Sequence, residues 1–149
     1  MRRAVRLDRA GSWPRGKACG TVTLAYDERH RRRLKLASDA GEEFLLDLPR
    51  ATAMREGDGL ALDDGSFIEV KAAPEPLIEV SAASPALLCR IAWHIGNRHL
   101  PAQLLGDRIL VREDHVIAGM LRSLGATLRA VSSPFSPEPG AYDGHEHSH

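Results

Sequence analysis

Ala73-Pro74-Glu75-Pro76 constrains this chain more than any other feature, because the residue patterning changes character on either side of it. Two prolines remove two backbone donors and restrict the residues before them, so the segment reads as a short stiff linker. It delimits an all-β domain over residues 1–73, a second domain over 74–135 and a flexible, His-containing tail over 136–149. A total of 149 residues excludes a large multidomain enzyme. Aromatics are only 5%, which leaves Leu, Ile, Val and Ala to build both cores. A half of about 70 residues buries only about 60% of its unfolded surface, so a dimer contact is expected to supply the missing burial.

Before the prolines the pattern is that of short strands. Val22, Leu24 and Tyr26 alternate with Thr21, Thr23 and Ala25, and Leu34 and Leu36 alternate with Arg33 and Lys35. Phe44-Leu45-Leu46-Asp47-Leu48 is a further strand closed by Pro49. Leu60-Ala61-Leu62 and Phe67-Ile68-Glu69-Val70 flank Asp63-Asp64-Gly65-Ser66, a hairpin signal. The expectation is a small sandwich or open barrel.

After the prolines, Leu77-Ile78-Glu79-Val80 is a strand, and Ser84-Pro85 places a capping hydroxyl before a proline at the first helical position. Leu87, Leu88, Ile91 and Ile95 fall on one helical face, with Gly96 as the expected stop. Ala102 to Leu105 and Arg108 to Val111 flank Gly106-Asp107, the chemistry of a two-residue hairpin. Asp114 caps a second helix whose Val116, Ile117, Met120, Leu121 and Leu124 form an apolar stripe. Gly125 ends it, and Ala126 to Val131 is the last strand. The order βαββαβ is that of a ferredoxin-like domain, giving an α+β fold overall.

Residues 1–35 carry 11 basic and 3 acidic side chains within a chain of zero formal charge. Such a segment is a solvated face or a docking surface for nucleic acid or acidic protein. An RNA-binding βαββαβ module is the rival reading, but Ile109-Leu110-Val111 occupies the strand where RNA recognition motifs place stacking aromatics. Cys19 and Cys89 are isolated, so no thiolate zinc site is indicated. No apolar run is long enough for a signal peptide or membrane span, which predicts a cytoplasmic protein without membrane contact.

Histidine is the informative residue type. Six of the seven histidines follow the prolines. His145-Glu146-His147-Ser148-His149 puts alternate imidazoles on one side of an extended chain, within reach of one metal ion. His99 lies past the expected helix stop, where no hydrophobic period requires it. His115 opens the second helix away from its apolar stripe, and His94 follows Trp93 near an apolar face. No H-E-x-x-H helix, G-x-S-x-G elbow or phosphate loop is present, so catalysis is not expected.

Taken in order, Gly96-Asn97-Arg98-His99, Asp114-His115-Val116 with Met120-Leu121 and Leu124-Gly125, Pro134-Phe135-x-Pro137-Glu138-x-Gly140-Ala141-Tyr142 and the His-rich end resemble the UreE urease accessory proteins. Arg33-Leu34-x-Leu36, Leu48-Pro49, Gly57-Asp58 and Ala73-Pro74-Glu75-Pro76 extend the likeness to nearly the whole chain. The resemblance implies a cytoplasmic homodimeric nickel chaperone that serves urease assembly, with the urease accessory GTPase and the apo-urease complex as partners. It implies an N-terminal domain that binds protein segments, His99 as a metal ligand at the subunit interface and His115 as a secondary ligand. Glu113 stands where some members carry a further histidine, and a tail with three histidines is short for the family.

One imidazole cannot hold a transition metal tightly, but a two-fold axis beside His99 would pair two, and His145, His147 or His149 would add more. By chemistry alone the ion is Ni2+, Zn2+ or Cu2+; nickel comes from the resemblance. A general peptide-binding chaperone with incidental metal is the other alternative.

Overall fold

The computed structural model describes residues 1–139, which form two compact units, Met1–Ala73 and a second that begins at Pro74. The first contains β1 (Arg2–Asp8), β2 (Ala18–Leu24), β3 (His30–Ala37), β4 (Glu43–Ala53), β5 (Gly59–Leu62) and β6 (Phe67–Ala72). All six lie in one sheet of order β2-β6-β5-β1-β4-β3, in which β1–β4 and β2–β6 run parallel and the other neighbours antiparallel. Of the two expected shapes, the single curled sheet is the one formed. Its outermost strands are linked at one end: the Asp39 N–H, just after β3, donates to the Thr21 carbonyl of β2, and the Thr21 and Thr23 hydroxyls donate to its carboxylate.

Alternation fills the inside of the curl. Val22 and Leu24, Phe44, Leu46 and Leu48, Leu60 and Leu62, and Ile68 and Val70 make one buried cluster. At about 1.5–3 kcal/mol for each fully buried large side chain, this burial is the main force holding the unit together. The register also explains two departures from the sequence reading. β4 runs on through Pro49 because the β3 pairing jumps from Arg31↔Thr52 to Arg33↔Asp47, leaving Pro49 out of the ladder, where a missing donor costs nothing. β2 stops at Leu24, and Tyr26 falls instead in a short turn held by the Ala25 N–H donating to the Glu28 carboxylate.

The second unit contains β7 (Pro74–Ser81), α1 (Pro85–Asn97), β8 (Gln103–Leu104), β9 (Ile109–Arg112), α2 (His115–Ser123) and β10 (Thr127–Pro134). The sheet order β10-β7-β9-β8 is antiparallel throughout, the ferredoxin-like arrangement. Pro74 and Pro76 open β7 and pair with Pro134 and Ser132 of β10, at a strand start, where proline is tolerated. Ile91 and Ile95 of α1 and Ala118 and Leu121 of α2 pack on Ile78, Val80, Ile109 and Val111 of the sheet. The β8–β9 turn is closed by Leu105 N–H donating to Arg108 carbonyl, with Gly106 at φ 90°, as a Gly-first two-residue turn requires.

Candidate metal centre

His99 owes its position to the way α1 ends. Ser84 caps the helix start, its hydroxyl accepting from the Leu87 N–H at 3.1 Å, and Pro85 follows at the first helical position. The far end does not stop at Gly96 as the sequence suggested. The helix continues to Asn97, the His99 N–H donates to the Gly96 carbonyl at 3.0 Å, and the Leu100 N–H donates to the Ile95 carbonyl at 3.3 Å. These two bonds are the Schellman closure, which needs a left-handed residue between helix and exit. Glycine usually fills that place. Here His99 does, at φ 59°, as the one non-glycine residue with positive φ among the described residues.

Left-handed backbone costs a side-chain-bearing residue roughly 1–2 kcal/mol. The His99 imidazole is held there against that cost and is exposed. Leu100 packs against the cluster containing Ile95, and Pro101 follows where proline commonly succeeds a helix exit. The last carbonyls of α1 add a negative potential that favours a cation beside the imidazole.

His115 begins α2 and is exposed. Its neighbour Asp114 accepts from the Ile117 N–H at 3.1 Å and the Val116 N–H at 2.8 Å, and these bonds hold its carboxyl below the usual range. His94 is half-buried and meets Trp93 edge-on, with ring centroids 5.1 Å apart. Among the described residues no three of His, Cys, Asp and Glu are grouped to hold one ion. His145, His147 and His149 lie outside the described residues.

The root of the tail, however, is placed. After β10 the Ser136 N–H donates to the Gln103 side chain at 3.0 Å and the Glu138 N–H to the Ala102 carbonyl at 2.8 Å. β10 and β8 are opposite edges of the sheet, so residues 135–138 carry the chain from one edge to the other. They bring it to within three residues of His99 in sequence. A lone glutamine in a two-residue strand carries no motif, so the contact of Gln103 with Ser136 exists only through the fold.

Other sequence features resolve into structure. Gly57-Asp58-Gly59 is a turn: buried Asp58 accepts from the Arg55 and Ala10 N–H groups, and a Cβ on Gly59 would come within 2.5 Å of the Trp13 ring. The basic N-terminal residues are largely matched across strands, Arg2 with Glu42 and Asp64, Arg15 with Glu69, and Lys35 with Glu43. That pairing weighs against an RNA surface along the whole segment.

Residues 4–73 match the family model for the UreE urease accessory protein N-terminal domain, and residues 75–149 match the model for its C-terminal domain. The chain belongs to the UreE urease accessory protein family. A UreE urease accessory protein of Chelativorans sp. is 55% identical over 88% of this chain and 83% of its own length. One from Bradyrhizobium sp. is 49% identical over all of this chain and 70% of its own, and one from Beijerinckia indica 47% identical over 99% and 88%. These UreE relatives are named accessory proteins rather than enzymes. Among the described residues no helix is long and apolar enough to cross a membrane.

Proposed function

We propose that this UreE-family chain is a cytoplasmic, homodimeric nickel chaperone that delivers Ni2+ for assembly of the urease active site, working with the urease accessory GTPase and apo-urease. The ion is cargo. One His99 from each subunit, facing across a two-fold axis, provides the first ligands, and His145, His147 and His149 provide further ones. His115 is a secondary ligand. Zn2+ and Cu2+ are chemically able to occupy the same imidazoles.

The observation that carries this reading is the pairing of a left-handed, exposed His99 with a tail root hydrogen-bonded at Ala102. His145 follows Glu138 by seven residues, at most about 25 Å of extended chain, enough to fold back on His99. A site assembled from several separate imidazoles can give up its ligands one at a time as an acceptor replaces them, which suits transfer rather than storage. Calorimetric nickel titration of His99→Ala tests it: the tightest site is expected to vanish from a dimer that stays intact by ultracentrifugation. Tight binding that survives refutes the assignment. Deleting residues 144–149 is expected to reduce the nickel bound per dimer without lowering the melting temperature.

A further inference from the structure

Ser136-Pro137-Glu138-Pro139 follows β10, and the alternating prolines leave Ser136 and Glu138 as the only residues of this stretch with a backbone N–H to donate. Both residues are exposed, so water is available to both groups. Each donates within the protein instead, Ser136 to the Gln103 side-chain oxygen at 3.0 Å and Glu138 to the Ala102 carbonyl at 2.8 Å. Just before them Phe135 is fully buried, which fixes the other side of the crossing. Backbone already restricted by two prolines loses little freedom on being held, so two bonds suffice to make a clasp.

The two bonds are not alike. The acceptor for Glu138 is a carbonyl that any residue would supply, whereas the acceptor for Ser136 is the end of one side chain, that of half-buried Gln103 in β8. β8 is an edge of the sheet, and Gln103 follows His99 by four residues. With the clasp closed, His145 is seven residues from a held point at Glu138. With it open, the last held residue is Phe135, and the span grows to ten residues that start from the β10 side.

We propose that Gln103 is a positioning residue for the metal centre: by holding Ser136 it keeps His145, His147 and His149 at a high local concentration beside His99. This rests on the reading of those histidines as ligands together with His99, and adds to it a residue that acts without touching the ion. The concentration of a tethered group around a point falls roughly as the −3/2 power of tether length, and further when the tether starts elsewhere. Opening the clasp should therefore weaken the tail's share of metal binding about two- to threefold.

The first readout needs no metal. In the full chain with Cys19→Ser and Cys89→Ser, a nitroxide attached at Ser148→Cys is expected to broaden the His99 and Leu100 amide resonances. The broadening is expected to fall at least about twofold in Gln103→Leu and to return in Gln103→Glu, which restores an oxygen acceptor for Ser136. The second readout is calorimetric nickel titration: Gln103→Leu is expected to lower affinity about two- to threefold in the full chain and not at all once residues 144–149 are deleted. A side chain that merely supported the fold would weaken both. Absence of broadening in the parent protein, equal broadening in Gln103→Leu, no rescue by Gln103→Glu, or equal loss of nickel affinity with and without residues 144–149 would overturn the proposal. If His99→Ala keeps tight nickel binding while the broadening follows Gln103 as expected, the nickel reading fails and the clasp stands; if the broadening fails while His99→Ala loses nickel, the reverse holds.

Discussion

The two helices of the second unit are built with the same devices and differ at one position that matters. Each starts on a side-chain cap, Ser84 for α1 and Asp114 for α2, and each ends in the same pair of backbone bonds. For α2 these are Gly125 N–H to the Arg122 carbonyl at 2.9 Å and Ala126 N–H to the Leu121 carbonyl at 3.1 Å, with Gly125 at φ 92°. α1 has His99 where α2 has Gly125. In α2 glycine takes the left-handed place without a side-chain cost, whereas α1 puts an exposed imidazole in the same place at that cost.

That contrast can be broken in several ways. The largest effect is expected from His99→Gly, which should remove the tightest nickel site, a loss of at least about a hundredfold in affinity by calorimetry, while raising unfolding free energy by about 1 kcal/mol in a urea titration. A drop in stability would mean that His99 is not strained as described. The converse substitution, Gly125→Ala, should cost about 1–2 kcal/mol in the same titration and leave nickel binding unchanged. Ser84→Ala should cost about 1 kcal/mol by removing the cap on Leu87 N–H.

The smallest effect separates the two caps by pH. The Asp114 carboxyl is lowered in the folded protein, so its contribution is complete above the unfolded value of about 3.9 and is lost as pH falls through the lower folded value. Ser84 does not titrate. An acid titration followed by circular dichroism should therefore show a loss that Asp114→Asn reduces and Ser84→Ala does not. An equal acid response in both variants would remove the distinction between the caps.

Much of the second unit was readable because its signals are local. Ser84-Pro85, Gly106-Asp107, Asp114 and Gly125 each act within a few residues, through one cap or one turn, and each does in the structure what its chemistry requires. Gly96 misled because glycine is a common helix stop, yet the bonds from His99 and Leu100 extend the helix past it. In the first unit the alternation revealed strands but not their neighbours. The parallel pairs β1–β4 and β2–β6 join segments distant in sequence, and nothing in either strand names its partner. The bulge at Pro49 lies in the β3–β4 pairing, and in the sequence the proline alone reads as a strand end. His99 was singled out by being unexplained, whereas its left-handed backbone and the tail root beside it emerged only from three-dimensional bonding.

The bond from Glu138 to Ala102 joins one main chain to another, so it does not depend on which side chains follow. Whatever is appended after residue 138, long or short, rich or poor in histidine, departs from the same spot. Replacing the residues after 138 with a different sequence should therefore leave the point of departure unchanged.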